Sequence, residues 1–174
     1  MREIINPWTA QHVSNYNCFG CNPNNPLGLH MHFYWDGAKV ISFWNPNENF
    51  VSWPGTLHGG IQATLLDEIC GWVIFYQQQT SGVTAKMELR YRKPVLTSNK
   101  YLELHAFLKE TKHNILVVIG QIYNDSGELC AECECTYFTF PEQKAIEMGY
   151  LSATLSEVDM TREEILQHLK HHQI

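Results

Sequence analysis

The chain has 174 residues, of which 44% are hydrophobic and 12% aromatic, so it can bury one sizeable core and a single domain is the default. Its net charge is -6, with only 12 lysines and arginines, which argues against a general nucleic-acid binder because such proteins need a basic face.

The compartment is predicted from what the chain lacks. No apolar run near the N terminus has the length of a signal peptide, and none reaches the roughly 18 to 20 residues that span a bilayer. Six cysteines without a secretory signal are expected to be reduced thiols rather than a disulfide framework. We therefore expect a cytoplasmic protein.

The first part of the chain predicts a lead-in and a hairpin. Residues 1–26 are rich in asparagine, proline and aromatic side chains, as expected of a loop-like N-terminal lead-in. Residues 27–35 and 39–44 contain apolar positions in alternation on either side of an aspartate-glycine turn, which predicts two antiparallel strands. Residues 45–55 are polar, contain two prolines and lead into a helix.

The stretch Trp53–Tyr76, WPGTLHGGIQATLLDEICGWVIFY, predicts a long central helix. Thr56 or His58 is its expected N-cap. The helix is apolar except for the adjacent pair Asp67 and Glu68, so we expect it to be buried in the middle of the domain. This expectation places the Asp67 carboxylate in the interior, where a charged side chain is unfavourable unless it has a partner or a functional role.

The rest of the chain predicts a sheet and a tail. Four further strands are expected at residues 83–92, 101–109, 114–123 and 129–140. Two strands, one helix and four strands indicate an α+β fold with an antiparallel sheet wrapped around one long central helix. We divide the chain into the lead-in, a domain over 27–140 and a C-terminal extension over 141–174, with a capping box that opens a helix near 161–172.

Small and polar residues form a stripe along the central helix. Gly60, Thr64, Asp67 and Gly71 are spaced by four, three and four residues and therefore share one face. The first N–H groups of a helix lack intrahelical partners, and Gly59 leaves them open to an anion. This pattern indicates acyl transfer to water; the alternative is a tight turn and a carboxylate with ordinary hydrogen bonds.

Three motifs carry a resemblance to a known family. They are LHGGIQATLLDE at 57–68, GVTAKMELRYRKPV at 82–95 and CFGCNPNNPLGLHMHF at 18–33. Together they resemble the hotdog-fold acyl-CoA thioesterases of the phenylacetate-degradation and 4-hydroxybenzoyl-CoA thioesterase superfamily, over about residues 18–140. The resemblance implies a sheet that encloses the long helix, and a homodimer or homotetramer whose active sites lie between protomers.

The same resemblance implies roles for individual residues. The Gly59 N–H would be the oxyanion donor, and Asp67 of the facing protomer the nucleophile or general base. His58 would orient the loop or support the thioester, and Thr84 stands where some members have a serine that holds the water. Members often place an Asn or Gln at the position of Ser52, so the handling of water departs from the family pattern here.

Water positioning would fall to Ser52 or to Asn49 in the same loop. The cations Arg90, Arg92 and Lys93 form the best cluster for coenzyme A, the alternative being a solvated strand face.

The groove for the substrate is expected along the small stripe, at Gly60 and Thr64. Apolar candidates for an acyl slot are Trp53, Trp72, Phe75 and Tyr76, each of which is also compatible with ordinary core packing. We expect no cofactor, since coenzyme A enters as part of the substrate. A non-catalytic acyl-CoA binding or regulatory hotdog domain, and a hotdog dehydratase or hydratase, stay open as alternative functions.

The cysteines suggest a second kind of site. Cys18 and Cys21 have the spacing of a metal knuckle, and Cys130, Cys133 and Cys135 could in principle complete a zinc site. The last two alternate with glutamates in a predicted strand, which explains them as small inward-facing residues. We assign no metal ligands from the sequence.

Overall fold

A computed structural model describes residues 1–171 of the chain. Its strands are β1 Arg2–Ile5, β2 Tyr34–Trp35, β3 Val40–Trp44, β4 Gly82–Tyr91, β5 Leu102–Lys112, β6 Ile115–Tyr123, β7 Leu129–Thr139 and β8 Thr154–Asp159. Its α-helices are α1 Pro7–Ala10, α2 Gly59–Gln77, α3 Glu142–Glu147 and α4 Arg162–His171, and a short 3-10 helix spans Glu48–Phe50.

All eight strands form one antiparallel sheet in the order β4-β7-β6-β5-β3-β2-β1-β8. Helix α2 packs against the strands from β3 to β7. The predicted α+β fold, with an antiparallel sheet wrapped around one long helix, is confirmed. Because β4 and β8 are the outer strands, each has one edge without a neighbour among residues 1–171.

Helix α2 begins where the sequence predicts. The His58 side chain is the N-cap, and its Nδ1 accepts the Gly60 N–H at 2.9 Å. Its buried face joins the main core through side chains such as Leu65, Leu66 and Ile69, all 0% exposed. Gly120 of β6 lets the helix approach the sheet, because a Cβ there would lie 2.8 Å from the Cys70 sulfur.

The first predicted strand is shorter than expected, because only its last two residues pair with β3. The Leu29 N–H instead donates to Phe19 O at 2.7 Å, and the Met31 N–H donates to Gly20 O at 2.9 Å. His30, between them, has a φ of 50°, which interrupts an extended strand. Alternation alone did not reveal this pairing with the N-terminal loop.

Strands β1 and β8 were not predicted. They pair with each other, with Arg2 opposite Asp159 and Ile4 opposite Leu155, and they extend the sheet beyond β2. Both strands are short, and their pairing joins the two ends of the chain, so the periodicity of either segment alone is a weak signal. The sheet therefore continues into both terminal segments.

Helix α4 covers the outer face of the sheet. Thr161 and Glu164 form the predicted capping box, with the Thr161 N–H donating to Glu164 Oε2 at 2.8 Å and the Glu164 N–H donating to Thr161 Oγ1 at 3.2 Å. Ile165 is buried in a second cluster with Ile41 and Phe43 of β3. The predicted end of this helix at residue 172 lies outside the described residues.

Within residues 1–171, no helix has both the length and the apolar character required to cross a bilayer.

Candidate active site

Asp67 lies on α2 next to the outer strand β4. The Thr84 hydroxyl donates to Asp67 Oδ1 at 2.8 Å, and the Tyr137 hydroxyl of β7 donates to the Asp67 carbonyl at 3.1 Å. The side chain of Asp67 is exposed, so the predicted burial of this carboxylate is wrong for the single chain. The reason is its position at the end of the sheet, where no residue of the described chain covers it.

A cavity of about 190 Å³ opens beside this carboxylate. Its lining residues are Asp67, Glu68, Gly71, Ile74, Phe75, Gly82, Thr84 and Tyr137. The cavity combines a polar end, formed by the aspartate and the threonine, with apolar walls from one turn further along the helix. Such a combination suits a ligand with a reactive polar group and an apolar substituent.

The aromatic residues proposed for an acyl slot have different environments. Phe75 lines the cavity, as the prediction requires. Trp72 is 1% exposed and stacks on Phe33 with ring centroids 4.6 Å apart, so it belongs to the core. Trp53 is 76% exposed on the loop before the helix, and Tyr76 packs against Trp35.

The helix N-terminus presents one backbone donor. The Gly60 N–H is bonded to the His58 side chain, and the Gly59 carbonyl accepts the Tyr91 hydroxyl at 2.8 Å. For the Gly59 N–H, no partner is found within residues 1–171. This N–H therefore stays available to an anion at the positive end of the helix dipole.

The predicted stripe follows the less buried side of α2. Gly60 and Asp67 are exposed and Thr64 and Gly71 are half-buried, while most of the other side chains around them are buried. The Thr64 hydroxyl donates to the Gly60 carbonyl at 3.0 Å, so its hydrogen is already used within the helix. The stripe thus connects the two polar ends of the site without supplying a further free donor.

The two ends of the site are far apart within one chain. Eight residues separate Gly59 from Asp67, which is about 12 Å along a helix that rises 1.5 Å per residue. A reacting carbonyl must lie about 3 Å from both its oxyanion donor and its nucleophile or water. The Gly59 N–H and the Asp67 carboxylate of a single chain therefore do not act on the same carbonyl.

Ser52 and Asn49 both lie on the exposed loop before α2. The Ser52 N–H donates to Thr56 O at 2.9 Å, and its hydroxyl lies 3.5 Å from the same oxygen. The His58 N–H donates to Phe50 O at 2.8 Å, which holds this loop against the start of the helix. Both candidate water-positioning residues are therefore on the Gly59 side, and within one chain the structure does not bring them to Asp67.

Two of the three predicted coenzyme A cations directly follow β4 and are paired with acids in β7 or next to it. Arg92 forms an ion pair with Glu132. Lys93 donates to Glu128 at 2.5 Å, which raises the pKa of Lys93 above its ordinary value. Arg90 is exposed and forms no ion pair with any residue of the described chain, so it is the cation most accessible to a ligand.

Sequence reasoning missed two tyrosines of this site. Tyr91 and Tyr137 both donate their hydroxyls to backbone carbonyls of α2, at Gly59 and Asp67 respectively. Burial raises the pKa of Tyr137, so its hydroxyl stays protonated and acts as a donor. A usable signal was the alternation of Tyr137 with two inward-facing cysteines of its strand, which directs it toward the helix.

The cysteines form two separate groups rather than the combination considered from the sequence. Within the described residues, one group is Cys18 and Cys21 with Glu68, and the other is Cys70 with Cys133 and Cys135. Cys130 belongs to neither group. The spacing of Cys18 and Cys21 indicated that these two residues lie close together. The third member of their group is the Glu68 carboxylate of α2, which the number and spacing of the cysteines do not reveal.

Known proteins resemble this chain over its central part. Residues 54–131 match the family model described as the Thioesterase superfamily. Among curated proteins, an uncharacterized mitochondrial protein of Candida albicans (strain WO-1) is 27% identical over 105 residues, which cover 56% of this chain and 47% of that protein. The match therefore spans about half the length of that relative.

Solved structures extend the likeness to more than half of the chain. A crystallised thioesterase superfamily protein aligns with a TM-score of 0.64 at 24% identity, over 70% of this chain and 62% of the other. A Bacillus halodurans protein, crystallised with CoA, aligns with a TM-score of 0.51 at 28% identity, over 57% of this chain and 70% of the other. The match to the thioesterase superfamily covers residues 54–131, and the fold of this chain is the hotdog fold.

Proposed function

We propose that this protein hydrolyses acyl-CoA thioesters at a composite site between two copies of the chain. One copy supplies the Gly59 N–H as oxyanion donor, and the other supplies Asp67 as general base or nucleophile. The observation that carries the proposal is the pairing of Asp67 with Thr84 in an open cavity, together with an unused N–H at the start of the same helix.

The carboxylate is suited to act on water or directly on the thioester. Thr84 holds Oδ1 at 2.8 Å, while no residue of the described chain occupies Oδ2. As general base, Asp67 takes a proton from water while the new C–O bond forms, and that proton passes to the sulfur as the C–S bond breaks. As nucleophile, Asp67 attacks the carbonyl carbon and displaces the CoA thiolate as the C–S bond breaks. Water then hydrolyses the resulting mixed anhydride, which releases the free acid and restores the Asp67 carboxylate.

The Gly59 N–H would stabilise the negative charge that develops on the carbonyl oxygen. It lies at the positive end of a 19-residue helix, and its neighbour's N–H is already bonded to His58. His58 therefore fixes the helix start, while Tyr91 holds the Gly59 carbonyl from the other side. The two contacts keep the donor in one orientation before the substrate arrives.

A second copy of the chain is needed because the donor and the carboxylate are about 12 Å apart within one helix. The outer edge of β4 is the natural place for this second copy. Its side chains Val83 and Tyr91 are 48% and 52% exposed, and Thr84 lies on the same strand. Pairing there would remove an exposed strand edge and cover both ends of the site. A dimer of two such dimers is compatible with the same contact.

Coenzyme A would be held through its phosphates by Arg90, the cation of β4 that lacks an acidic partner among residues 1–171. Arg92 and Lys93 would add to the local field while they stay paired with glutamates. The CoA in the Bacillus halodurans structure supports this ligand class.

For the compartment we keep the cytoplasm as our proposal, while the Candida albicans relative is described as mitochondrial.

The test is a turnover screen with acetyl-, longer alkyl- and aryl-CoA esters, following the free thiol. We expect hydrolysis of at least one class, and loss of that hydrolysis in Asp67→Asn with binding of the ester retained. Tight acyl-CoA binding without turnover by the unsubstituted protein would replace the enzyme with a binding domain. Hydration of crotonyl-CoA would replace it with a hydratase.

A further inference from the structure

The N-terminal loop and the central helix bring three metal-ligand groups together. The sulfurs of Cys18 and Cys21 and a carboxylate oxygen of Glu68 all lie within 4.8 Å of one another. Gly20, between the cysteines, makes this approach possible, because a Cβ there would lie 2.3 Å from Glu68 Oε2. The loop therefore closes directly onto the carboxylate.

We propose that Cys18, Cys21 and Glu68 bind one zinc ion, with water as the fourth ligand. Zinc takes sulfur and carboxylate oxygen in a tetrahedral arrangement, and two cysteines separated by two residues are a common half of such a site. This proposal replaces the expectation from the sequence that the chain has no metal ligands, and it does not depend on thioester hydrolysis.

The distance between the Cys18 sulfur and the Glu68 carboxylate already fits a tetrahedral ion. Zn–S bonds of about 2.3 Å and Zn–O bonds of about 2.1 Å at the tetrahedral angle place sulfur and oxygen about 3.6 Å apart. The Cys18 sulfur lies 3.6 Å from both Glu68 oxygens.

Neighbouring donors orient two of the three proposed ligands, Cys21 and Glu68. The Tyr16 hydroxyl lies 2.8 Å from the Cys21 sulfur and would donate to it once it is a thiolate, and Asn6 Nδ2 donates to the same sulfur at 3.7 Å. Trp72 Nε1 donates to Glu68 Oε1 at 3.1 Å. Such outer contacts are typical of metal sites, where they fix the ligands and stabilise their charge.

A cation would also balance the negative charge of the three proposed ligands. Two thiolates and one carboxylate would carry three negative charges, and Glu68 forms no ion pair with a residue of the described chain. Cys18 is only half-buried, which provides a path for the ion to enter. Binding would fasten the N-terminal loop to the middle of α2, next to the wall of the cavity.

The other cysteine group has a different environment. Cys70, Cys133 and Cys135 are at most 3% exposed. The Cys133 sulfur lies 3.9 Å from the Cys70 sulfur and 3.6 Å from the Cys135 sulfur. They fill the space that Gly120 leaves between helix and sheet, and a Cβ at Gly120 would lie 2.9 Å from the Cys133 sulfur. Close packing of small side chains explains this group without an ion.

The proposal is tested by the metal content of the full-length protein. The protein is reduced, incubated with zinc sulfate and desalted. Its zinc content is then measured by elemental mass spectrometry. We expect about one zinc per chain. Replacement of zinc by cobalt should give the thiolate charge-transfer band and the intense visible bands of a tetrahedral site. Zinc should also raise the melting temperature by several degrees.

Variants locate the ion. Cys18→Ser, Cys21→Ser and Glu68→Gln should each retain zinc about tenfold less well or worse. Cys130→Ser is the matched control and should retain it fully, because Cys130 is buried outside both groups and its bond to the Glu128 carbonyl suits a hydroxyl. The cobalt spectrum of the unsubstituted protein gives a second measurement if a variant fails to fold.

The proposal is overturned by substoichiometric zinc in the unsubstituted protein, by equal loss in Cys130→Ser, or by a cobalt spectrum without thiolate bands. A disulfide between Cys18 and Cys21 that forms under reducing conditions in place of metal binding would overturn it as well.

Discussion

At the scale of single residues, the hydrogen bond between Thr84 and Asp67 connects the central helix α2 to the outer strand β4. At 2.8 Å it fixes one carboxylate oxygen of a residue that lines the cavity, and no residue of the described chain bonds to the other oxygen. A carboxylate with this freedom can take a proton from water or attack a carbonyl, whereas Glu68 beside it on the helix is engaged by Trp72. The two adjacent acids therefore have different environments and, in our proposals, different functions.

Substitution of Asp67 by Asn tests the proposed role of its charge. The amide keeps the size and the bond to Thr84 but loses the basicity, so kcat for the best acyl-CoA ester should fall by about 10²- to 10⁴-fold. Steady-state kinetics measure this fall. The control Glu110→Gln, an exposed carboxylate of β5, which has a neighbouring strand on both edges, should stay within about twofold of the unsubstituted protein. Full activity of Asp67→Asn would contradict the assignment.

The Gly59 N–H can be removed without breaking the helix. Gly59 is the first helical residue, where proline is favoured and its missing N–H costs no intrahelical bond. Gly59→Pro should therefore fold and lose about 10²- to 10³-fold in kcat/KM, as expected when one oxyanion donor is removed.

Gly59→Ala is the matched control for this change. It places the same Cβ 3.1 Å from the Tyr91 hydroxyl but retains the N–H, so it should keep most of the activity. Thermal unfolding of both variants checks that the helix start is intact. Equal losses in the two variants would indicate a steric effect and not the loss of a donor.

At the scale of elements, helix α4 is fastened to the sheet through Glu103 of β5. His105 Nε2 lies 2.8 Å from Glu103 Oε1, and Arg162 donates to Glu103 Oε2 at 2.7 Å. The hydrogen bond with His105 and then the contact with Arg162 lower the pKa of Glu103 to about 2. Arg162 also lies over the Phe43 ring, which adds a cation–π contact to the same anchor.

The contribution of Glu103 should therefore depend on pH. A carboxyl group whose pKa is lower in the folded state stabilises the fold above its unfolded pKa of about 4.3, and this stabilisation is lost as the pH falls through about 2. Glu103→Gln should lower the free energy of unfolding at pH 7 by about 1 to 2 kcal/mol, a value reduced for the partial exposure of Arg162.

Urea unfolding between pH 7 and pH 3 measures this effect. The difference between Glu103→Gln and the unsubstituted protein should be constant down to about pH 5 and should shrink below that. Glu110→Gln, at an exposed position of the same strand, is the control and should show little difference at any pH. A difference that grows on acidification would contradict this account of the anchor.

The long elements of the fold could be predicted because their signals are local. Helix α2 has a capping histidine and a continuous apolar surface, and the hairpin from β6 to β7 follows an Asn124–Gly127 turn. Strands β1 and β8 could not be predicted, because their pairing joins residues 2 and 159. The loop that binds Leu29 and Met31 was also hidden, since alternation alone does not distinguish a strand from such a bonded loop.

At the scale of the whole molecule, the contribution of a second copy to the site could not be predicted from the residues, for a similar reason. Spacing placed Asp67 on a stripe with Gly60, and this stripe is present. Whether an acid at that position is buried depends on what covers β4, and one chain does not supply that cover. The role of a second copy came from the family resemblance, and the distance between Gly59 and Asp67 now gives it an independent physical reason.

A mixing experiment tests the composite site directly. Gly59→Pro and Asp67→Asn each disable every site in their own dimers. A mixed dimer contains one site with both substitutions and one site with neither, because Gly59 comes from one protomer and Asp67 from the other. Unfolding and refolding an equimolar mixture makes about half of the dimers mixed, so about a quarter of the original activity should return.

The amount of recovered activity separates the two possible geometries. If the donor and the carboxylate acted within one chain, the mixed dimer would contain no intact site and the mixture would stay as inactive as its components. Gly59→Ala refolded with Asp67→Asn serves as the control for the refolding yield, since it should recover about half of the original activity. A quarter of the activity in the first mixture therefore requires that each site is built by two protomers, because only exchange of subunits can reunite Gly59 with Asp67.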